Sequence, residues 1–184
     1  MGNKEGKSVA QFFIELGMLK RMPRSGWIQA GVQNPESVAG HSYRTAMIAW
    51  ALAKFRKADT DKVVKMALLH DIEEARTGDL NIVNKKYHLN GKKAKAYSDV
   101  LINSPFAAEA LALIAELGEQ KTIEAKLVKE ADRLELFAQA FEYAQAGVKG
   151  AEKFMHSSRA DMKLKSTKDM AKQIEKEDLV WWYK

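Results

Sequence analysis

Four side chains stand out because they are ionisable and lie where apolar residues would cost less. His41 falls among Ala39, Tyr43, Thr45 and Ile48. The doublet His70-Asp71 directly follows Ala67-Leu68-Leu69, and Asp132 lies beside Ala131 in a long helical stretch. A buried carboxylate is expensive unless it is paired or binds a metal. Two imidazoles and two carboxylates form a donor set suited to a divalent cation. Each residue alone has a blander reading: a hydrogen-bonded core histidine, or, for Asp132 within Lys129-Glu130-Ala131-Asp132-Arg133-Leu134-Glu135, a surface charge. Their order joins them: a His on one apolar helix, a His-Asp pair on the next, an Asp on a later long one.

Spacing adds a fifth residue. Positions i and i+4, or i and i+3, share a helix face, so Glu74 sits above His70 and beside Asp71. Glu73 would point about 100° away, toward the surface. Glu74 is thereby placed to touch a water beside a metal held by its neighbours, and to act on it as a general base.

Such residues need rigid elements behind them, and helical periodicity dominates the chain. A first amphipathic helix is expected from about Ser8 to Lys20, with Phe12, Phe13, Leu16 and Leu19 inward. The loop Met22 to Glu36 contains Pro23, Gly26, Gly31 and Pro35, which explain its turns but not its Arg24 and Trp27. A second helix, about Ser37 to Arg56, is apolar nearly all round and belongs in the middle of a bundle. A third runs from Asp61 to Arg76 and stops at Gly78. Leu80 to Gly91 is polar and less regular, and a short helix follows to about Asn103. Ser104-Pro105 then opens another, with Ser as N-cap and Pro at the first helical position, ending at Gly118. A long helix spans about Thr122 to Ala146, and a last one about Ser158 to Lys176. The chain closes on Leu179-Val180-Trp181-Trp182-Tyr183. The expected fold is all-α, a compact bundle of six to eight helices in one domain, 1–184.

The absence of cysteine excludes disulfides and thiolate zinc sites. The net charge of +6 suggests anionic partners, but the charges are dispersed and alternate with acids, as on a solvated basic surface. The longest uncharged apolar run, Thr45 to Ala53, is about half the ~18 residues a membrane span needs, so no membrane role is expected. The start, MGNKEGKSV, lacks the apolar stretch of a secretory signal. A cytoplasmic protein is expected.

Three blocks carry a resemblance to a known family: Ser37-Val38-Ala39-Gly40-His41-Ser42, then His70-Asp71-Ile72-Glu73-Glu74-Ala75-Arg76-Thr77-Gly78-Asp79-Leu80, then Lys129 to Glu135. Together they resemble the HD superfamily of metal-dependent phosphohydrolases, and HDxxEAxxGD is the most specific part. The chain is similar to the branch of small HD proteins that hydrolyse deoxyribonucleoside 5′-monophosphates. The resemblance spans roughly Leu19 to Phe141, with the C-terminal helices packing on that core.

The resemblance implies metal ligation by His41, His70, Asp71 and Asp132, with release of deoxynucleoside and phosphate. His88 and His156 fall outside the motifs, and HD enzymes with two metals draw on further histidines, so one metal is expected: Mn2+, Co2+, Fe2+, Ni2+ or Zn2+. It also implies that an Arg on the loop before the first His meets the phosphate. Arg24 is the first choice, although Arg24-Ser25-Gly26-Trp27 spaces the usual Arg-Trp pair apart, and Arg21 competes. Trp27 either walls in the sugar and base or caps the core. Asp79 either accepts a hydrogen bond from the sugar or caps a helix, and Lys129 either adds positive charge near Asp132 or is solvated. A homodimer is expected, with the aromatic cluster Trp181, Trp182 and Tyr183 as a candidate interface. One departure is Gly40, where this branch usually carries an acid; its loss would remove a hydrogen bond orienting His41.

Two other readings use the same residues. An HD phosphodiesterase acting on a cyclic or signalling nucleotide would want a sensor domain and more histidines. A non-catalytic, basic nucleic-acid-binding helical protein would want an exposed polar recognition helix after a short turn, and the helices after the candidate turns are apolar.

Overall fold

A computed structural model describes residues 3–88 and 92–183, with side chains from residue 6; the start of the chain and the end of the polar 80–91 stretch therefore lie partly outside the described residues. Among these, the fold is all-α. Its segments are α1 (Asn3–Arg21), α2 (Ser25–Gln29), α3 (Val38–Arg56), α4 (Thr60–Leu69), α5 (Glu74–Thr77), α6 (Ile82–His88), α7 (Lys92–Leu101), α8 (Ala107–Glu119), α9 (Ile123–Gln145), α10 (Ala151–Asp161) and α11 (Lys165–Ile174). An isolated antiparallel bridge, Pro23 to Ser37, ties the loop after α1 to the start of α3.

The long α9 is the axis, with α3, α4, α8, α10 and α11 packed on it, and α3 also lies against α4 and α1. Small residues make the central seam: Ala49 and Ala53 on α3, Ala67 on α4 and Ala131 on α9 are buried beside Val63, Met66 and Leu127. Without long side chains between them, the helix backbones approach closely, and side chains from α3, α9 and the end of α4 can meet. The ends are capped as local chemistry dictates. Ser37, Asp59 and Thr122 accept backbone N–H bonds at the starts of α3, α4 and α9, and α9 gives way at Gly147, whose φ of 91° suits glycine.

Several expectations are corrected. The third helix does not run on to Arg76. It ends at Leu69, and a turn built on short-range bonds (Ile72 N–H to Leu69 O, Glu74 N–H to Asp71 O) precedes α5. The last helix is two. Buried Met162 is extended (ψ 134°), and the Glu130 carboxylate on α9 accepts the Lys163 and Leu164 N–H groups at 2.8 and 2.9 Å. A side chain from another helix thus ends α10 and starts α11. Ser104-Pro105 lies in a turn, and α8 begins at Ala107. Gly118 lies inside α8, which stops where Gln120 turns left-handed (φ 54°) and donates its amide to Leu117 O and Ala125 O. The polar stretch contains a helix, α6, with no buried residue. Phe13 is 62% exposed, and Tyr43, Met47, Trp50 and Phe55 leave one side of α3 open, so α3 is central on one face only.

Candidate metal centre

His41 rises from the first turn of α3, His70 and Asp71 from the turn after α4, and Asp132 from the middle of α9. Their donor atoms converge. His41 Nε2 lies 3.2 Å from His70 Nε2, 3.4 Å from Asp132 Oδ1 and 3.7 Å from Asp71 Oδ2. His70 Nε2 is 3.0 Å from the same Asp71 oxygen. Both imidazoles are buried, and both carboxylates are mostly so. His70 and Asp71 are consecutive yet share one target from where α4 gives way to the turn, the Asp71 oxygen lying against both imidazoles.

The far side of each ring is occupied. His70 Nδ1 donates to the Ala67 carbonyl at 2.7 Å, and His41 Nδ1 meets the fully buried Glu135 carboxylate. With these partners taking the Nδ1 proton, each neutral ring would turn its Nε2 lone pair toward the cluster. Glu135 was not singled out in the sequence, although it follows Asp132 by three residues and so shares its helix face. It also answers the question raised by Gly40, because His41 has its orienting hydrogen bond without an acid at position 40. The Tyr97 hydroxyl donates to the His70 carbonyl at 2.5 Å, a further support that the sequence did not reveal.

The cluster wants positive charge. Burial alone would lower the histidine pKa values, yet the adjoining carboxylates raise both His41 and His70. Burial alone would raise Asp71 and Asp132, yet neighbouring cations (His70 first for Asp71, Lys129 first for Asp132) hold both low. Two imidazole nitrogens and two anionic oxygens, meeting where the protein is short of cation, fit a divalent metal.

Arg24 approaches from the loop, its Nη1 3.4 Å from Asp71 Oδ2. Burial would lower its pKa, but Asp71, then Asp79, Asp132 and Glu36, more than offset that. The competing Arg21 folds back on Met18 of its own helix and is exposed. Asp79 accepts the Ser25 N–H at 2.6 Å and thereby anchors the start of α2. Trp27 is 1% exposed, packed against Tyr143 and Phe154, with its Nε1–H donating to Glu36 at 2.9 Å. A ring so enclosed presents no open face for a base to stack on. Its packing instead holds the loop that carries Arg24.

Glu74 is buried, and its Oε2 has no hydrogen-bond partner. It lines a cavity of about 570 Å³ shared with Asp71 and Lys93. Glu73 is not the surface residue expected: it is 2% exposed and paired with Lys93 at 2.5 Å. The turn, being no regular helix, brings both glutamates inward. A second cavity, about 640 Å³, reaches His70, Asp71 and Asp132 between α7, α8 and α9. A third, about 480 Å³, holds Arg24 and Asp79. Lys129 pairs with Asp132 at 2.7 Å and is half exposed.

Comparison with known proteins gives a consistent picture. The family model described as HD domain matches residues 16–176. The 5′-deoxynucleotidase HDDC2 of Xenopus laevis is 40% identical over 144 residues, covering 76% of this chain and 71% of that protein. Its Homo sapiens counterpart is 37% identical over 141 residues, covering 74% and 69%. Among solved structures, a conserved hypothetical protein from Pyrococcus furiosus superposes with a TM-score of 0.79 at 35% identity, covering 91% of this chain and 99% of that one. A protein from Magnetospirillum magnetotacticum, titled a predicted metal-dependent phosphohydrolase, superposes with a TM-score of 0.65 at 26% identity, covering 96% of each. With the motif residues gathered as the three blocks require and the family model spanning nearly the whole fold, the chain belongs to the HD domain family.

Proposed function

We propose that this protein is a metal-dependent phosphomonoesterase that hydrolyses deoxyribonucleoside 5′-monophosphates to deoxynucleoside and phosphate. The observation that carries the reading is the convergence of His41, His70 and Asp132, with Asp71 against both imidazoles, beside the mostly buried Arg24, in a chain whose curated relatives are named 5′-deoxynucleotidases. Those four residues would hold one divalent ion, with Mn2+, Co2+, Fe2+, Ni2+ and Zn2+ all compatible with the donor set. When bound, such an ion lowers the pKa of water and polarises phosphoryl oxygens.

The protein's own residues do the rest. Arg24 offsets the charge that grows on the phosphoryl oxygens. Glu74, its Oε2 unengaged beside the cavity it shares with Asp71, takes the proton of the attacking water. The water oxygen forms the new bond to phosphorus as the bond to the 5′-oxygen breaks, and the proton taken by Glu74 passes on to that departing oxygen to give the deoxynucleoside hydroxyl. Asp79 faces the cavity that holds Arg24 and accepts a sugar hydroxyl with the oxygen that Ser25 does not use. Trp27 fixes Arg24 from behind. The ligands come from α3, the turn after α4, and α9, while α10 and α11 pack on α9, which supports one domain over 1–184. The protein acts as a cytoplasmic homodimer in this reading; no helix among the described residues is long and apolar enough to cross a membrane.

The test is phosphate release from dAMP, AMP, TMP and UMP, with each metal in turn. The 2′-deoxy member of each pair should win by about 10- to 100-fold in kcat/KM, the cost of burying an unsatisfied hydroxyl. Equal values within each pair would remove the deoxynucleotidase reading. His70→Ala and Asp71→Ala should each lose metal and activity together; stoichiometric metal retained after gel filtration would overturn the ligand assignment.

A further inference from the structure

We infer that Glu135 is a positioning residue for the metal centre: gripped by Arg44, it holds His41 with Nε2 turned toward the ion. The inference rests on the metal site proposed above.

Glu135 is fully buried, a cost that only strong pairing offsets. Both of its oxygens are engaged. Oε2 meets His41 Nδ1, and Oε1 accepts from Arg44 Nε at 3.0 Å. The guanidinium is itself held: Nη1 donates to Glu142 and Nη2 to Gln139, each at 2.6 Å. The sequence dictates this arrangement. Asp132, Glu135, Gln139 and Glu142 fall at i, i+3, i+7 and i+10, one face of α9. That face meets α3, where Arg44 follows His41 by three. One stripe of α9 therefore supplies a ligand, the support of another ligand, and the clamp on that support.

A helix-to-helix ion pair alone would not need Glu135, since Arg44 and Glu142 could make one at the rim. Glu135 instead reaches inward past Arg44 to a ring nitrogen. The other nearby carboxylate, Glu36, is occupied by Trp27. The two imidazoles are consequently unequal: His70 leans on a neutral carbonyl, His41 on an anion. A carboxylate behind an imidazole fixes its tautomer and makes it a stronger donor.

The experiment titrates metal-free protein with Co2+ against a chromophoric chelator, for wild type, Glu135→Ala and Glu135→Gln. Three readouts are taken: the dissociation constant, the visible spectrum of bound cobalt, and the melting temperature of the metal-free form. Glu135→Ala should bind cobalt about 10- to 100-fold more weakly, with an altered spectrum. Glu135→Gln keeps an acceptor for the ring N–H but not the charge, and should bind cobalt about three- to tenfold more weakly with a shifted spectrum; that measurable loss, or its absence, decides the matter if the alanine variant does not fold. Wild-type affinity and spectrum in the variants, with only the melting temperature lowered, would make Glu135 a packing residue and overturn the inference alone. Wild-type protein that binds no cobalt would overturn the site reading and this inference with it.

Discussion

Glu74 is asked to be buried and to work as a base, and the two demands conflict. In the metal-free protein, burial first, then the Asp71 and Asp79 carboxylates, push its pKa up to about 9, with Arg24 opposing and Glu73 adding slightly. The folded state then holds a proton that the unfolded chain has released, between the ordinary value near 4.5 and about 9. Stability of the metal-free form must therefore fall as pH rises through that window. Glu74→Gln cannot ionise, so the metal-free variant should melt above wild type at pH 8, by roughly 2–4 °C per kcal/mol of relief. It should keep its metal yet lose about 10²- to 10⁴-fold in turnover. A variant that melts no higher and hydrolyses at the wild-type rate would leave Glu74 with no role in the chemistry. The inward placement of Glu74 was legible, although by i, i+4 spacing from His70 on a regular helix that the structure replaces with a turn. Glu135 was not assigned a role, since a glutamate at the end of the charged run Lys129 to Glu135 reads as solvated until the neighbouring helix is known. Glu73 was misplaced for a different reason: a regular helix was assumed where the chain turns.

At the scale of elements, the division between α10 and α11 is imposed from outside. No proline or glycine marks it. The signal is tertiary, the Glu130 carboxylate accepting two backbone N–H groups and the Thr167 hydroxyl, so periodicity alone reads one helix through it. Burial would raise the Glu130 pKa, but the bonds from Thr167, Leu164, Lys163 and Arg133 lower it. Its contribution is thus present above pH 4.5 and lost as pH falls through the lowered value. Glu130→Ala would strand the Lys163 and Leu164 donors, at about 1–3 kcal/mol each. Urea unfolding at pH 7 should show that loss, and the gap from wild type should narrow toward pH 3. An unchanged midpoint would mean that water replaces the carboxylate. The long helices, by contrast, were legible nearly to the residue where caps are local: Ser37 begins α3, Thr122 begins α9, and Gly147 follows its end.

For the whole molecule, fold class and the order of site-bearing helices followed from hydrophobic periodicity. What periodicity does not tell is which apolar side is covered. Tyr43, Met47 and Trp50, one stripe of α3 at i, i+4 and i+7, stay open to solvent, as do Trp181, Trp182 and Tyr183 at the chain end. Apolar surface of that kind is what the proposed homodimer would cover. Light scattering at micromolar concentration should give twice the 20.7 kDa chain mass, and Trp50→Glu should shift the distribution toward monomer. A monomer mass for the unaltered protein would refute the dimer.

The turn that separates α4 from α5 also settles how much chain entropy the centre must overcome. His70 and Asp71 are consecutive, so four donors are carried by three stretches of backbone, and assembling them closes two loops, 41 to 70 and 71 to 132. Loop-closure cost grows only with the logarithm of length, so the number of closures weighs more than their span. By placing two donors on neighbouring residues, the chain brings in a fourth donor without a third closure.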